Sequence, residues 1–328
     1  MPKVNPAILE WARKTAGLST DEAARKLGVS EGRLVAVEGG KRDPTRAMLV
    51  KAAEGYHRPL LAFYLPIPPA MSDKGQDFRT LHQLPSPGAE ALLAALLRDV
   101  QARQGLVKAA LDEAEEDEPL PFVGSAKITD GVEAVVSAMR RTLGVSLDGF
   151  RQERTIADAF KLLREAAEGS GVFVLLMGNL GTHHTDIEPR VFRGFALADP
   201  VAPFAEVRDR RVCGPAKAQP ENGRYNLLRS DMIAAGRYRQ LCDLFDAERL
   251  TIGRTDGEGR ADDYVVRRHR VGRGLVDLVR RLLAGGELST TEAGRVLGVK
   301  ATNVSRLLQH GRAGYEAVDC RICSTPMC

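Results

Sequence analysis

Arg33, Lys41 and Arg42 are the residues of this chain whose types and spacing most clearly suit a chemistry, and that chemistry is contact with a nucleic acid. An Arg near the start of a helix can donate two hydrogen bonds to guanine O6 and N7 across a DNA major groove. Lys and Arg on the loop that follows can pair with phosphate. Ser30 and Glu31 open the same helix, and Glu31 can accept from cytosine N4 or orient Arg33. Ser19 and Thr20 stand at the start of the preceding helix, where hydroxyl and backbone N–H can grip a phosphate. A helical module of this kind can also serve protein contact, and both uses stand open at this point.

Other reactive side chains are scattered. The six His are His57, His82, His183, His184, His269 and His310, and none lies four residues from another. His183-His184 with Asp186 and Glu188 sits on a polar stretch where adjacent side chains point apart, so a solvated loop is expected. Cys320-Arg-Ile-Cys323, with Cys328 and His310, has thiolate spacing but only one close pair, so no metal is expected there. No catalytic residue, metal or cofactor follows from these patterns.

The elements that must position Arg33 are legible. Leu18-Ser-Thr-Asp-Glu-Ala-Ala-Arg-Lys-Leu-Gly-Val29 recurs as Leu288-Ser-Thr-Thr-Glu-Ala-Gly-Arg-Val-Leu-Gly-Val299, with nine of twelve positions identical. Each copy predicts a capped helix and a Gly turn, the first half of a helix-turn-helix. A helix over Pro6–Ala16 precedes the first copy, with Trp11 in its core seam. A third follows from Ser30 to Val37, then the loop Glu38-Gly-Gly-Lys-Arg-Asp-Pro-Thr45 and a helix carrying Met48, Leu49 and Ala52. In the second copy Lys300, Asn303 and Arg306 fall where Arg33's helix would be, and Asn303 can pair with adenine N6 and N7. That copy lacks the Glu-Gly-Gly-Lys-Arg loop, so packing or dimerisation stands beside DNA contact for it.

Beyond the head, a long amphipathic helix is expected from about Pro87 to Glu115, helices over Val132–Leu143 and Thr155–Ala167, and strands over Gly171–Met177 and Val191–Leu197. From Ala205 to Asn222 neither periodicity holds. Helical pattern returns at Tyr225–Leu228 and Tyr238–Phe245, Val265–Leu283 reads as one basic helix, and a last helix spans Thr302–Leu308. The net charge is +4, yet residues 1–70 and 261–312 carry surpluses of +4 and +5, and 71–260 carries −4. Basic ends favour polyanions more than the whole-chain sum suggests. No apolar run approaches a membrane span, the start lacks a signal-peptide core, and the five Cys form no even set, so a cytoplasmic protein with reduced thiols is expected.

Leu18–Val29, Glu38–Thr45, Arg58-Pro-Leu-Leu-Ala-Phe-Tyr-Leu-Pro66, Asp77-Phe-Arg-Thr80, Arg193-Gly-Phe-Ala-Leu-Ala-Asp199, Tyr225-Asn-Leu-Leu-Arg229 and Tyr238–Phe245 occur in an order that resembles one family. It is the ImmA/IrrE metallo-endopeptidase group carrying an N-terminal Xre/Cro-type helix-turn-helix, known from bacteria and phage. The resemblance implies a zinc endopeptidase that cleaves a repressor or antitoxin partner. Its zinc helix bears His-Glu-x-x-His, and no such run exists in this chain.

Together these readings predict a mainly α fold with a small α+β middle region. They divide the chain into an N-terminal helix-turn-helix bundle (1–70), a helical linker (71–120), the α+β part of a degenerate metallopeptidase-like domain (121–204), a disrupted junction (205–222), a helical remnant (223–250), a basic C-terminal helical domain (261–311) and a tail (312–328). The expected function is that of a DNA-binding transcription regulator, active as a homodimer on double-stranded DNA, with a toxin–antitoxin or repressor protein as a further partner. A zinc endopeptidase and a frame-disrupted remnant are the alternatives.

Overall fold

The computed structural model describes residues 4–69, 87–180, 185–187, 194–208 and 263–309. Its elements build two apolar cores, one within residues 4–63 and one shared by the rest. The architecture is mainly helical with one small sheet, as the periodicities predict.

The head contains α1 (Pro6–Thr15), α2 (Thr20–Leu27), α3 (Glu31–Glu38), α4 (Arg46–Gly55) and a 3-10 turn at Leu60–Tyr64. Asn5 caps α1 by accepting from the Ala7 N–H, and Pro6 sits at the first position, where its missing N–H costs nothing. Ile8, Leu9, Ala12, Ala23, Leu27, Leu34, Leu49 and Phe63 are fully buried between the helices. Trp11 packs at the edge of this core, as expected.

The repeat has a structural reason. In both copies a Ser caps the helix and a Glu three residues on reaches back to the Ser N–H: Ser19 with Glu22, and Ser289 with Glu292. Both helices then end in a left-handed Gly, Gly28 at φ +69° and Gly298 at φ +68°. The shared Ser, Glu and Gly thus encode a capped helix and its stop.

The body begins with α5 (Pro87–Glu113), followed by a 3-10 turn at Ile128–Asp130, α6 (Val132–Leu143), α7 (Leu147–Gln152) and α8 (Ile156–Gly169). Then come β1 (Phe173–Met177), β2 (Gly194–Leu197) and β3 (Phe204–Arg208). The chain ends its described part with α9 (Asp263–Val271), α10 (Arg273–Gly285), α11 (Thr290–Leu297), a 3-10 turn at Ala301–Asn303 and α12 (Val304–Gln309). Leu96 and Val100 of α5, Leu175 of β1, Phe204 of β3, Val279 of α10 and Leu297 of α11 meet in one core. By contrast α6 and α7 bury no side chain, and Val132, Met139 and Phe150 stay exposed.

Two expectations need correction. The loss of pattern does not begin at Ala205, because residues 204–208 form the central strand of the sheet, parallel to β1 and antiparallel to β2. Its buried positions are Phe204, Glu206 and Arg208, and Ala205 and Val207 are half-buried. Two ionisable residues on the inward face hide the alternation that hydropathy would reveal. The α+β part therefore reaches at least Arg208, and 209–222 lies outside the described residues. The second correction concerns 265–283, which is two helices. Gly272, at φ +93° and ψ 152°, breaks it in a conformation that only Gly adopts at ease.

Glu206 is 1% exposed, and its Oε1 accepts from the Met177 N–H at 3.1 Å. Burial raises its pKa to about 8, against partial compensation from that N–H and from the Arg208 and Arg103 charges. The folded state thus holds a proton that the unfolded chain releases near the ordinary carboxylate value. Stability from this group is complete below that value and is lost as pH rises through about 8. Thermal melting of the body is expected to fall by ~2–4 kcal/mol of stability between pH 5 and pH 9. Glu206→Gln should flatten that slope, and an unchanged slope in the variant would refute the assignment.

Candidate nucleic-acid interface

The expected recognition helix is α3. Ser30 caps it by accepting from the Arg33 N–H at 3.3 Å, and Gly39 and Gly40 follow its last turn. Leu34 and Val37 face the core, which turns Glu31, Gly32, Arg33 and Val35 outward as an exposed strip. Arg33 has no carboxylate partner among the described residues.

The loop after α3 is tied down by its backbone. Lys41 and Arg42 donate their N–H groups to the Ala36 carbonyl at 2.8 and 3.1 Å. Their amides are therefore occupied, and both exposed side chains are left with charge as their means of contact. Arg46, exposed at the first position of α4, adds a third cation beside them.

Ser19 and Thr20 lie at the start of α2. The Ser19 hydroxyl is engaged in its cap with Glu22 and lies 2.5 Å from Asp21 Oδ1. Hydrogen bonds from Ser19 hold the Asp21 carboxyl below its ordinary pKa, and bonds from the Ser19 N–H and hydroxyl do the same for Glu22. Two carboxylates therefore share this helix start with any phosphate that approaches it.

The head keeps its parts together through a contact that spacing did not suggest. Arg13 of α1 donates from Nε and Nη2 to the two carboxylate oxygens of Glu38 at 2.8 and 2.9 Å, and from Nη1 to the Leu18 carbonyl at 3.1 Å. The pair is about 10% exposed, at 11% and 8%. Glu38 was legible only as part of a loop motif. Val35 was likewise not singled out from the sequence. It is 55% exposed on the outward strip, and its apolar side chain suits a thymine methyl group. An apolar residue out of phase with Leu34 and Val37 was the available signal.

The second copy is placed differently. Its helix α11 packs on α5 and α10, and Ala293, Val296 and Leu297 are fully buried. Gly294 stands where the first copy has Ala24, and a Cβ there would lie 2.9 Å from the Val299 carbonyl. The chain therefore doubles back more tightly. Lys300 and Asn303 fall in the cap and 3-10 turn before α12, not on a helix matching α3. Arg306 is exposed and stacks over the Tyr264 ring at 4.5 Å.

Among the described residues no group of three His, Cys, Asp or Glu forms a cluster that could hold a metal. His183, His184, Glu188, His310, Cys320, Cys323 and Cys328 lie outside them, as do Asp77–Thr80, 223–250 and 312–328. No helix among the described residues is long and apolar enough to cross a membrane.

Residues 7–61 match a family model described as a helix-turn-helix domain. The match covers the head and not the body. No curated protein and no solved structure matches the chain.

Proposed function

We propose that the chain is a sequence-specific transcription regulator that reads double-stranded DNA through α3. A helix-turn-helix domain supports a DNA-binding regulator, and the observation that carries the finer reading is the exposed outward strip of α3, led by Arg33, which has no carboxylate partner among the described residues. In this reading Arg33 reads guanine, Glu31 accepts from cytosine or orients Arg33, and Ser30 fixes the helix start. Lys41 and Arg42 hold the phosphate backbone. Ser19 and Thr20 contribute less, because the cap engages the Ser19 hydroxyl and Asp21 and Glu22 lie beside it. A homodimer would place two such helices on half-sites about 34 Å apart. Lys300, Asn303 and Arg306 then act as a secondary contact for DNA or a protein partner.

We read the body as a degenerate ImmA/IrrE-like domain that senses or docks a partner such as a repressor or antitoxin. The support is the order of short sequence matches and the absence of His-Glu-x-x-His from the chain.

Mobility shift with selected duplexes and the full chain tests the DNA reading. Arg33→Ala should lower discrimination at one base pair by about 1–3 kcal/mol, roughly five- to 150-fold. Lys41→Ala and Arg42→Ala should each weaken all duplexes alike and reduce the slope of log K against log salt by about 1. A full chain without salt-sensitive affinity for any duplex would sink the proposal.

A further inference from the structure

A cleft of about 550 Å³ lies where the head meets the body. Residues 53–59, at and beyond the end of α4, form one wall, and α5, β1, α9 and the Leu297-Gly298 turn form the others. Its size is that of a small-molecule site. Leu175, Met177 and Leu180 supply apolar lining.

The cleft is unusual in its charge. Among the described residues His57, Arg58, Arg98, Arg103, Arg267 and Arg270 line it, against two carboxylates, Glu54 and Asp99. Asp99 is already committed to Arg103 at 2.7 Å. Arg98 has no hydrogen-bond or ion-pair partner among the described residues. Arg267 donates to the Gly298 carbonyl and pairs with no carboxylate among the described residues. The Nε–H groups of Arg58 and Arg270 are buried without an acceptor among the described residues.

A buried donor without an acceptor destabilises the fold, and more so when it is charged. Cations gathered without counter-charge also repel one another. Burial lowers the pKa of Arg98, and burial with the Arg98 charge brings Arg58 down to about 10. His57 is lowered by burial first, then by Lys26 and Arg98. A fold keeps such an arrangement at the expense of stability, which is common where a ligand supplies the missing charge.

We propose that this cleft binds a small multivalent anion, one bearing phosphate groups or clustered carboxylates. Guanidinium groups suit both, since their paired N–H donors match the oxygens of either. Arg58, Arg98 and Arg270 form the anion-binding set, with His57 at the rim. The anion bridges α4 and its following turn to α5 and α9, fastening the head to the body. The site stands whether or not α3 reads DNA.

The molecule carries its own reporter. Trp11 is the single Trp of the chain, and the Arg58 guanidinium stacks on its ring at 4.2 Å. Drawing Arg58 toward an anion should change Trp11 emission. The full chain is titrated at low salt with inorganic pyrophosphate and, separately, with citrate, by Trp fluorescence and calorimetry. A saturable response to either supports the site, and the anion that binds identifies phosphate or carboxylate as its chemistry. Arg98→Ala and Arg270→Ala should each weaken binding about tenfold or more, with Arg98→Lys between. Arg98→Ala should also melt no lower than the unaltered chain, because an unpaired charge is removed; a merely structural Arg would show the reverse. Arg151→Ala, on exposed α7, should bind as the unaltered chain does. The proposal is overturned if neither anion gives a saturable signal by roughly 10 mM, or if Arg98→Ala and Arg270→Ala bind unchanged.

Discussion

Glu38→Ala should strip the head of most of its stability and weaken duplex binding with it. The substitution strands the Arg13 guanidinium among Leu18, Tyr56 and the ends of α1 and α3, with one backbone carbonyl as its remaining acceptor. Removing one partner from a pair this buried costs about 3–5 kcal/mol. A domain near the length of this head holds only about 3–10 kcal/mol in total. The loss therefore consumes most of the margin. Trp11 fluorescence during urea denaturation reads it directly, since that ring packs on the head core. Arg13→Met combined with Glu38→Leu should recover much of the stability, because no charge is then left buried. A double variant as unstable as Glu38→Ala would show that the cost came from lost packing and not from the unpaired cation.

Arg13 and Glu38 also mark the limit of what sequence could reveal. Periodicity and caps place every helix of the head, because α1 to α4 are amphipathic, begin at Asn5, Ser19, Ser30 and Thr45, and bury one face each. Which side chains cross between helices is set by tertiary approach, 25 residues apart in this case, and no local signal carries it. The body failed differently. In β3 the inward positions are a Phe, a Glu and an Arg, so the period-two signal that reveals β1 is absent there. Around Gly272 the apolar pattern runs on through a break that only backbone geometry requires. The repeat was legible as structure, and it left the use of the second copy open between DNA contact and packing or dimerisation. Its shared Ser, Glu and Gly specify a cap and a stop, while Arg33, Lys41 and Arg42, the main contacts in the DNA reading, lie outside the twelve. That is why one copy can present Arg33 to solvent and the other can fill a core.

Gly272→Ala should carry the second large effect, confined to the body. At φ +93° and ψ 152° any side chain strains the backbone, by about 1–3 kcal/mol. A Cβ would also fall against Glu168 Oε1, lie 2.8 Å from Arg164 Nη2 and reach 3.0 Å from the Val174 carbonyl. These neighbours cannot give way cheaply, because they tie four elements together, α8, β1, α9 and α10. Arg164 donates to Glu168 at 2.9 Å, to the Val174 carbonyl of β1 at 2.7 Å and to the His269 carbonyl of α9 at 2.6 Å. Glu168 in turn accepts from the Gly274 N–H of α10 at 3.0 Å. The Cβ thus disrupts an ion pair about 10% exposed, at 10% and 9%, as well as the chain that carries it. The summed cost is expected to exceed about 4 kcal/mol, since strain and a broken buried pair act at one point. Calorimetry should show the body transition fall sharply while the head transition, followed through Trp11, holds. Gly285→Ala is the matched comparison. Its Cβ meets only the Glu287 carboxylate, the far end of a flexible side chain, and Ala at a helix end gains intrinsic propensity. Equal melting of the two variants would mean that Gly272 is no more than a loop residue, and that α9 and α10 are joined without the backbone conformation assigned to it.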